Sequence, residues 1–129
     1  MSKDIHTHTL PEPNLKLPIL AKIYDFYQLL TQSVTSFPKS RRYSLGLRLD
    51  SLTLEIIESI LAVPFTKNKL QNLQQISIKL DTLKILIRLS KDCDSISSKK
   101  YFHLQLKLSE IGKMLGGWIK SANNNEERV

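Results

Sequence analysis

The sequence predicts an all-α fold, an antiparallel up-down-up-down four-helix bundle. Apolar residues recur at steps of three and four along nearly all of the chain after residue 18, and prolines or short polar turns interrupt that pattern. Helices of about 20 residues joined by connections of only a few residues pack antiparallel. The 129 residues show no strand pattern and no internal repeat, so one domain is predicted.

The first helix is predicted to start at Pro18, since proline fits the first helical turn, and to end at Pro38. Residues 1–17 are polar, contain proline and lack helical periodicity, so they are predicted to form a flexible arm. One face of the first helix carries Ile19, Ile23, Phe26, Tyr27, Leu30, Val34 and Phe37.

Serine, threonine and proline mark the limits of the next two helices. The second is predicted to begin near Ser40 or Ser44 and to end at Pro64, and Thr66 is the predicted N-cap of the third. The stripe of the second helix comprises Leu45, Leu49, Leu52, Ile56 and Ile60, widened by Leu54, Ile57 and Leu61. That of the third comprises Leu73, Ile76, Leu80, Leu83 and Ile87, widened by Ile78, Ile85, Leu86 and Leu89. Such wide stripes predict several packing neighbours for each helix.

The fourth helix is predicted to follow the polar turn 92–98, with Ser97 or Ser98 as its cap, and to end in the asparagine run 123–125. Its apolar stripe contains Tyr101, Leu104, Leu108, Ile111, Leu115, Trp118 and Ala122. The bundle domain is therefore predicted to span residues 18–122, with residues 123–129 as a polar tail.

Glycines inside the fourth helix call for a compensating contact, because glycine costs about 1 kcal/mol relative to alanine in a helix interior. Gly112 and Gly116 lie beside the apolar stripe, so they and Trp118 are predicted to mark close helix packing. The alternative is a helix that ends at Gly117. Some apolar residues also exceed what a monomeric bundle requires. They are either a subunit interface or isolated exposed residues: Ile78, Ile85, Leu106 and Ile119.

The balance of 19 basic and 12 acidic residues gives a formal charge of +7, which favours polyanionic partners such as RNA, DNA or an anionic membrane surface. Lys84, Arg88 and Lys91 stand at i, i+4 and i+7, so they share a helix face over about 10 Å and can follow several phosphates. The alternative is a solvated face in which Asp81 pairs with Lys84. A second candidate site lies at the acid-free turn before the second helix: Lys39, Arg41 and Arg42. Tyr43, in that turn, either stacks on a base or packs against the protein.

Several classes of function are disfavoured by the sequence. No apolar run is long enough to cross a bilayer and no signal peptide begins the chain, so a cytoplasmic protein without membrane contact is predicted. The single cysteine, Cys93, excludes an intrachain disulfide and argues against structural zinc. His6 and His8 lack a third ligand, and no Glu-x-x-His pair or phosphate-binding glycine loop occurs. We therefore predict no catalytic residue, metal or cofactor.

Three segments resemble a known family. They are FPKSRRYSLGLRL (37–49), LDTLKILIRLSKD (80–92) and, most specifically, the pattern Glu-Ile-Gly-x-x-Leu-Gly-x-Trp-Ile (110–119). Over about residues 18–122 the chain resembles the accessory variability determinant (Avd) proteins of bacterial diversity-generating retroelements. Their four-helix bundle family also includes proteins encoded in intervening sequences of 23S ribosomal RNA genes.

The resemblance implies a non-enzymatic partner of the retroelement reverse transcriptase. Avd proteins assemble as homopentameric barrels, bind nucleic acid through a basic surface and support the copying of template RNA into mutagenised cDNA. Lys84 and Arg88 match a basic pair on the family's third helix, which implies contact with polyanion or polymerase. The alternatives are a helical protein-interaction scaffold and a bundle protein of the 23S intervening-sequence type with an unknown partner.

Overall fold

The computed structural model describes the backbone of residues 17–128 and the side chains of residues 17–125, and the regular structure in that range is all helical. Four long helices are present: α1 (Pro18–Val34), α2 (Leu47–Ala62), α3 (Lys69–Asp92) and α4 (Ser98–Arg128). The predicted all-α class and the four helices are confirmed. The predicted arm, apart from Leu17, lies outside the described residues.

Each long helix packs against two others, as expected for a four-helix bundle with short connections. α1 and α3 both contact α2 and α4. One end of the bundle, here called the proximal end, contains the α1–α2 turn (residues 35–46) and the α3–α4 turn (residues 93–97). The other, the distal end, contains the α2–α3 turn (residues 63–68), the start of α1 and the end of α4.

The predicted apolar stripes form the core. Along α3, the five residues spaced at steps of three and four are all buried: Leu73, Ile76, Leu80, Leu83 and Ile87. They meet Ile23 and Phe26 of α1, Ile56 and Ile60 of α2, and Leu104, Leu108 and Ile111 of α4 in one apolar cluster. Burial of this continuous cluster supplies the main driving force for folding.

The residues predicted to widen the stripes behave differently. Ile57 and Leu86 are partly buried against the core, but Leu54, Leu61 and Leu89 are exposed. Ile78 and Ile85 retain 65% and 67% of their full exposure, and Leu106 is also exposed, whereas Ile119 is partly buried. The width of the apolar stripes therefore predicted more burial than one chain provides, because several of these apolar residues face away from the bundle axis.

The α1–α2 turn differs from its prediction. α1 ends at Val34 rather than at Pro38, and the amide of Phe37 then donates to the Val34 carbonyl over 3.0 Å. Pro38 precedes a short helical segment, Lys39–Arg41, so the helical backbone resumes before the predicted start at Ser40 or Ser44. A π-helical turn, Arg42–Gly46, leads into α2.

Gly46 is the glycine that a close contact requires. A Cβ added there would lie 2.8 Å from Cγ1 of Val34, where the end of α1 approaches the start of α2. Within the described chain, Gly116 shows no close packing, because an added Cβ would meet no atom within 4 Å. At Gly112 it would lie 3.4 Å from Nζ of Lys84, which is a flexible side chain rather than backbone. Trp118 is partly buried against the core.

The predicted N-cap residue is wrong for α3 and correct for α4. Asn68, not Thr66, caps α3 by accepting a hydrogen bond from the Gln71 amide at 3.1 Å. The Thr66 hydroxyl instead donates to the Val63 carbonyl, because a 3₁₀ turn, Val63–Phe65, delays the start of α3. The predicted Ser97 cap of α4 is confirmed, since its Oγ accepts from the Lys100 amide at 3.2 Å.

α4 continues to Arg128, past its predicted end in the asparagine run 123–125. Within the described range, no helix combines the length and apolar character needed to cross a membrane.

Candidate nucleic-acid interface

The predicted basic residues of α3 lie on the side that faces α4. Gln105 of α4 donates from Nε2 to the Lys84 carbonyl at 3.0 Å, and the Lys84 side chain covers Gly112. Lys91 places its ammonium group 5.0 Å from the ring centroid of Tyr101, a cation–π distance. Lys84, Arg88 and Lys91 therefore follow the α3–α4 groove.

The local partners of these cations differ. Arg88 pairs through Nε with the Asp92 carboxylate at 3.3 Å, and this carboxylate raises the pKa of Arg88. The pair is exposed, so solvent weakens it and a phosphate can compete for the guanidinium. Among the described side chains, no carboxylate oxygen lies within 4 Å of Lys84 Nζ, so the Asp81–Lys84 pair considered from the sequence is not formed.

The cations of the α1–α2 turn divide into two kinds. Lys39 and Arg41 are exposed. Arg42, predicted to bind polyanions with them, donates from one terminal nitrogen to the carbonyls of Thr35 and Phe37, both at 3.2 Å. It thus provides a partner for two backbone carbonyls of the turn that follows α1. Sequence reasoning could not separate Arg42 from its neighbours, since the contact depends on the fold of the turn.

The proximal end brings basic residues from three segments together. Lys100 of α4 donates to Oγ of Ser36 at 3.0 Å, which joins the start of α4 to the α1–α2 turn. Lys91 reaches the same region through Tyr101. We define the basic surface as the proximal end and the adjoining α3–α4 groove, with the following cations: Lys39, Arg41, Lys84, Arg88, Lys91 and Lys100.

An aromatic side chain accompanies these cations. Tyr43 in the π-helical turn retains 72% of its full exposure, so it does not pack within the described chain. Of the two interpretations considered from the sequence, exposure favours contact with a partner.

Three acidic residues form ion pairs along the sides of the bundle. Glu55 of α2 pairs with Arg48 at 3.4 Å and with Lys79 at 3.8 Å. Two further pairs join α1 to α4: Lys22 with Glu110, and Lys107 with Asp25. These pairs engage three lysines on the sides of the bundle, Lys22, Lys79 and Lys107.

The comparison with known protein families gives a match over most of the chain. The sequence profile described as bAvd-like matches residues 17–122. The chain belongs to the bAvd-like family. Membership supports a role as an accessory protein of a retroelement, in a family of accessory helical proteins that is not a known enzyme family. No match was found among curated proteins.

The remaining side chains of this bAvd-like chain offer few groups for other chemistry. His103 is exposed on α4 with its ring centroid 6.4 Å from that of Phe102. In the described part of the chain, no three residues of the types His, Cys, Asp and Glu form a group that could hold a metal ion.

Proposed function

We propose that this bAvd-like chain is a non-enzymatic cytoplasmic subunit that binds template RNA and the reverse transcriptase of a diversity-generating retroelement. The observation that carries the proposal is the basic surface, in which cations of the α1–α2 turn, the end of α3 and the start of α4 lie at the proximal end, and Lys84 and Arg88 follow the adjoining groove. Exposed lysines and arginines bind phosphates with little regard to base sequence, so the surface suits a long RNA backbone.

The proposed mechanism is multivalent capture of the template. Each chain supplies a few phosphate contacts, and an assembled ring repeats them around its circumference, so modest affinities combine. The exposed apolar residues Ile78, Ile85 and Leu106 support assembly, because together they leave apolar surface without a partner in one chain. The number five comes from the resemblance to Avd proteins.

A second candidate function is protein scaffolding. Leu47, Leu54 and Leu61 are exposed and repeat every seven residues along the outer side of α2. A heptad stripe of this kind fits an amphipathic helix of another protein. In that case the basic surface docks an acidic protein patch, and RNA binding is incidental.

The test of the proposed function changes the basic surface and measures two partners separately. Lys84→Glu with Arg88→Glu is expected to lower template-RNA affinity by at least about tenfold, because two phosphate contacts become repulsive. The matched control is Lys113→Glu with Lys120→Glu, which makes the same change in net charge on exposed residues of α4 outside the basic surface. Circular dichroism checks that both variants keep the helical fold.

Capture of the reverse transcriptase by the same variants separates the two functions. Loss of RNA binding in the Lys84/Arg88 variant, but not in the control, supports the RNA interface. If the Lys84/Arg88 variant keeps its RNA affinity but no longer captures the polymerase, the scaffold function would replace the RNA interface. Equal losses of RNA affinity in both variants would contradict a localised interface.

A further inference from the structure

The distal end contains a cleft that the proposed function does not use. It has a volume of about 510 Å³ and lies between the start of α3 and the last turns of α4. α4 contributes residues up to Asn125. The lining residues are Lys67, Lys69, Leu70, Trp118, Ser121, Ala122 and Asn125.

The chemistry of this cleft is amphipathic. Leu70, Trp118 and Ala122 are partly buried and provide apolar and aromatic surface, whereas Lys67 and Lys69 are exposed cations. Among the side chains that the structure describes, which end at Asn125, none that lines the cleft is acidic. The volume falls within the range of about 300–1,000 Å³ that is usual for small-ligand sites.

These features favour a ligand with a flat aromatic group next to an anionic group. An indole offers a stacking surface to any nucleobase, and lysine ammonium groups bind phosphate as point charges. A double helix keeps its bases stacked inside, so only an unpaired nucleotide can present both groups to a cleft. An entirely apolar ligand would gain nothing from the two lysines.

A neighbouring cavity shows what distinguishes the distal cleft from an apolar site, and an exposed aromatic residue lies close to the cleft in the sequence. Trp118 also lines a cavity of about 310 Å³ with Leu17, Pro18, Ile19 and Met114, none of which is charged. The lysines therefore set the distal cleft apart from its apolar neighbour. Phe65, two residues before Lys67, retains 89% of its full exposure and provides a second aromatic surface in the same turn.

We propose that the distal cleft binds an unpaired nucleotide of single-stranded nucleic acid, with its base against Trp118 and its phosphate at Lys67 and Lys69. This site rests on the proposed function in that the chain binds nucleic acid, but it is separate from the basic surface. Lys69 and Lys84 are 15 residues apart on α3, which corresponds to about 22 Å along the helix axis. One strand can therefore contact both sites on the same molecule.

Trp118 is the single tryptophan of the chain, so its fluorescence reports on ligands in the distal cleft and in the neighbouring apolar cavity, and the lysine variants below distinguish the two. The probe is a 5′-phosphorylated uridine trinucleotide added to the full chain, and the comparison ligand is an abasic trimer with the same number of phosphates. We expect saturable quenching by the uridine trimer and affinity at least about fivefold weaker for the abasic trimer. Equal effects of the two trimers would overturn the base contact.

Variants assign the phosphate contact. Lys67→Gln with Lys69→Gln is expected to weaken binding of the uridine trimer at least about fivefold, because each lysine neutralises phosphate charge. The control, Lys113→Gln with Lys120→Gln, changes two exposed lysines that do not line the cleft, and it is expected to bind like the parent chain. Equal weakening in both pairs would overturn the assignment to the cleft.

The Lys84→Glu, Arg88→Glu variant separates this proposal from the proposed function. It is expected to lose affinity for long template RNA and to retain quenching by the uridine trimer. Absence of quenching in the parent chain would overturn the distal site while leaving the basic surface intact. Quenching by the trimer with unchanged long-RNA affinity in this variant would support the distal site and contradict the basic surface.

Discussion

Position 46 requires glycine because a neighbouring side chain leaves no room for a Cβ, and not because of its backbone conformation. Gly46 has a φ of −60° and a ψ of −45°, which any residue adopts, but its missing Cβ leaves room for Val34. Val34 is β-branched and therefore has few alternative rotamers. The position illustrates how one small residue allows the end of one helix to approach the start of the next.

Two glycine substitutions are therefore expected to have opposite effects on the free energy of unfolding. Gly46→Ala is expected to lower it by about 1–3 kcal/mol through overpacking against Val34. Gly116→Ala is expected to raise it by about 1 kcal/mol, because the added methyl group meets no described atom and alanine favours helix. Urea unfolding measures both. A stabilised Gly46→Ala variant would show that Val34 moves aside freely.

At the scale of elements, the apolar spacing identified the four helices and the five buried residues of α3, since burial of one helix face follows directly from periodicity. The ends were less predictable. Thr66 and Asn68 are both suitable caps, and the choice between them depends on the 3₁₀ turn after Ala62. The π-helical turn before α2 carries no such periodic signal. In the candidate site, charge patterns predicted six basic residues: Lys39, Arg41, Arg42, Lys84, Arg88 and Lys91. Their role in binding stays a prediction, but the tertiary structure showed that Arg42 binds backbone carbonyls, which no charge pattern could reveal.

Two isoleucines of α3 test the division between the core face and the outer face. Ile87 is fully buried and Ile85 is mostly exposed. Ile87→Ala is expected to lower the free energy of unfolding by about 2–5 kcal/mol, because it leaves a cavity in the core. Ile85→Ala is expected to change the stability of the individual bundle by no more than about 0.5 kcal/mol. Denaturant unfolding at low protein concentration compares them, and equal losses would contradict the assignment of faces.

A hydrogen bond between α1 and α2 makes the pairing of these helices sensitive to alkaline pH. Tyr27 donates from its hydroxyl to Oδ1 of Asp50 at 2.6 Å, and this hydrogen bond, with burial and the negative charge, raises the pKa of Tyr27 above 10.0. The folded state therefore favours the protonated phenol. Its contribution to stability is complete below pH 10.0 and declines as the pH rises through the raised pKa.

Tyr27→Phe is expected to remove this part of the alkaline decline and to lower stability at neutral pH by about 1 kcal/mol. Thermal unfolding between neutral and alkaline pH compares the variant with the parent chain. Tyr24→Phe is the control, because Tyr24 is an exposed tyrosine of the same helix. An alkaline slope that Tyr27→Phe leaves unchanged would assign the decline to other groups.

At the scale of the whole molecule, several exposed apolar residues lie outside the basic surface. The basic surface is at the proximal end and along the α3–α4 groove, whereas the exposed leucines of α2 and Ile78 and Ile85 of α3 lie on the outer sides of their helices. An assembly can therefore bury apolar surface and keep its cations accessible. Under the proposed function, we expect such an assembly to bind RNA by charge, with avidity that grows with the number of chains.

The dependence of RNA binding on salt follows from that arrangement. If three cations of one chain contact phosphates of a single strand, raising salt from about 50 mM to about 200 mM is expected to lower the affinity of that chain about 20-fold, through release of counterions, and the affinity of a multimer by more. Ile78→Asp with Ile85→Asp is expected to dissociate the assembly and weaken RNA binding further, although the basic surface is unchanged. Binding that is insensitive to salt would contradict the electrostatic account.

The most direct test of the central claim is the particle mass in solution, measured by light scattering with and without template RNA at moderate and high salt. The account predicts a multimer, five chains by the resemblance to Avd proteins, whose mass increases with RNA at moderate salt and returns to that of the free multimer at high salt. A monomer whose mass is unchanged by RNA at either salt concentration would contradict it.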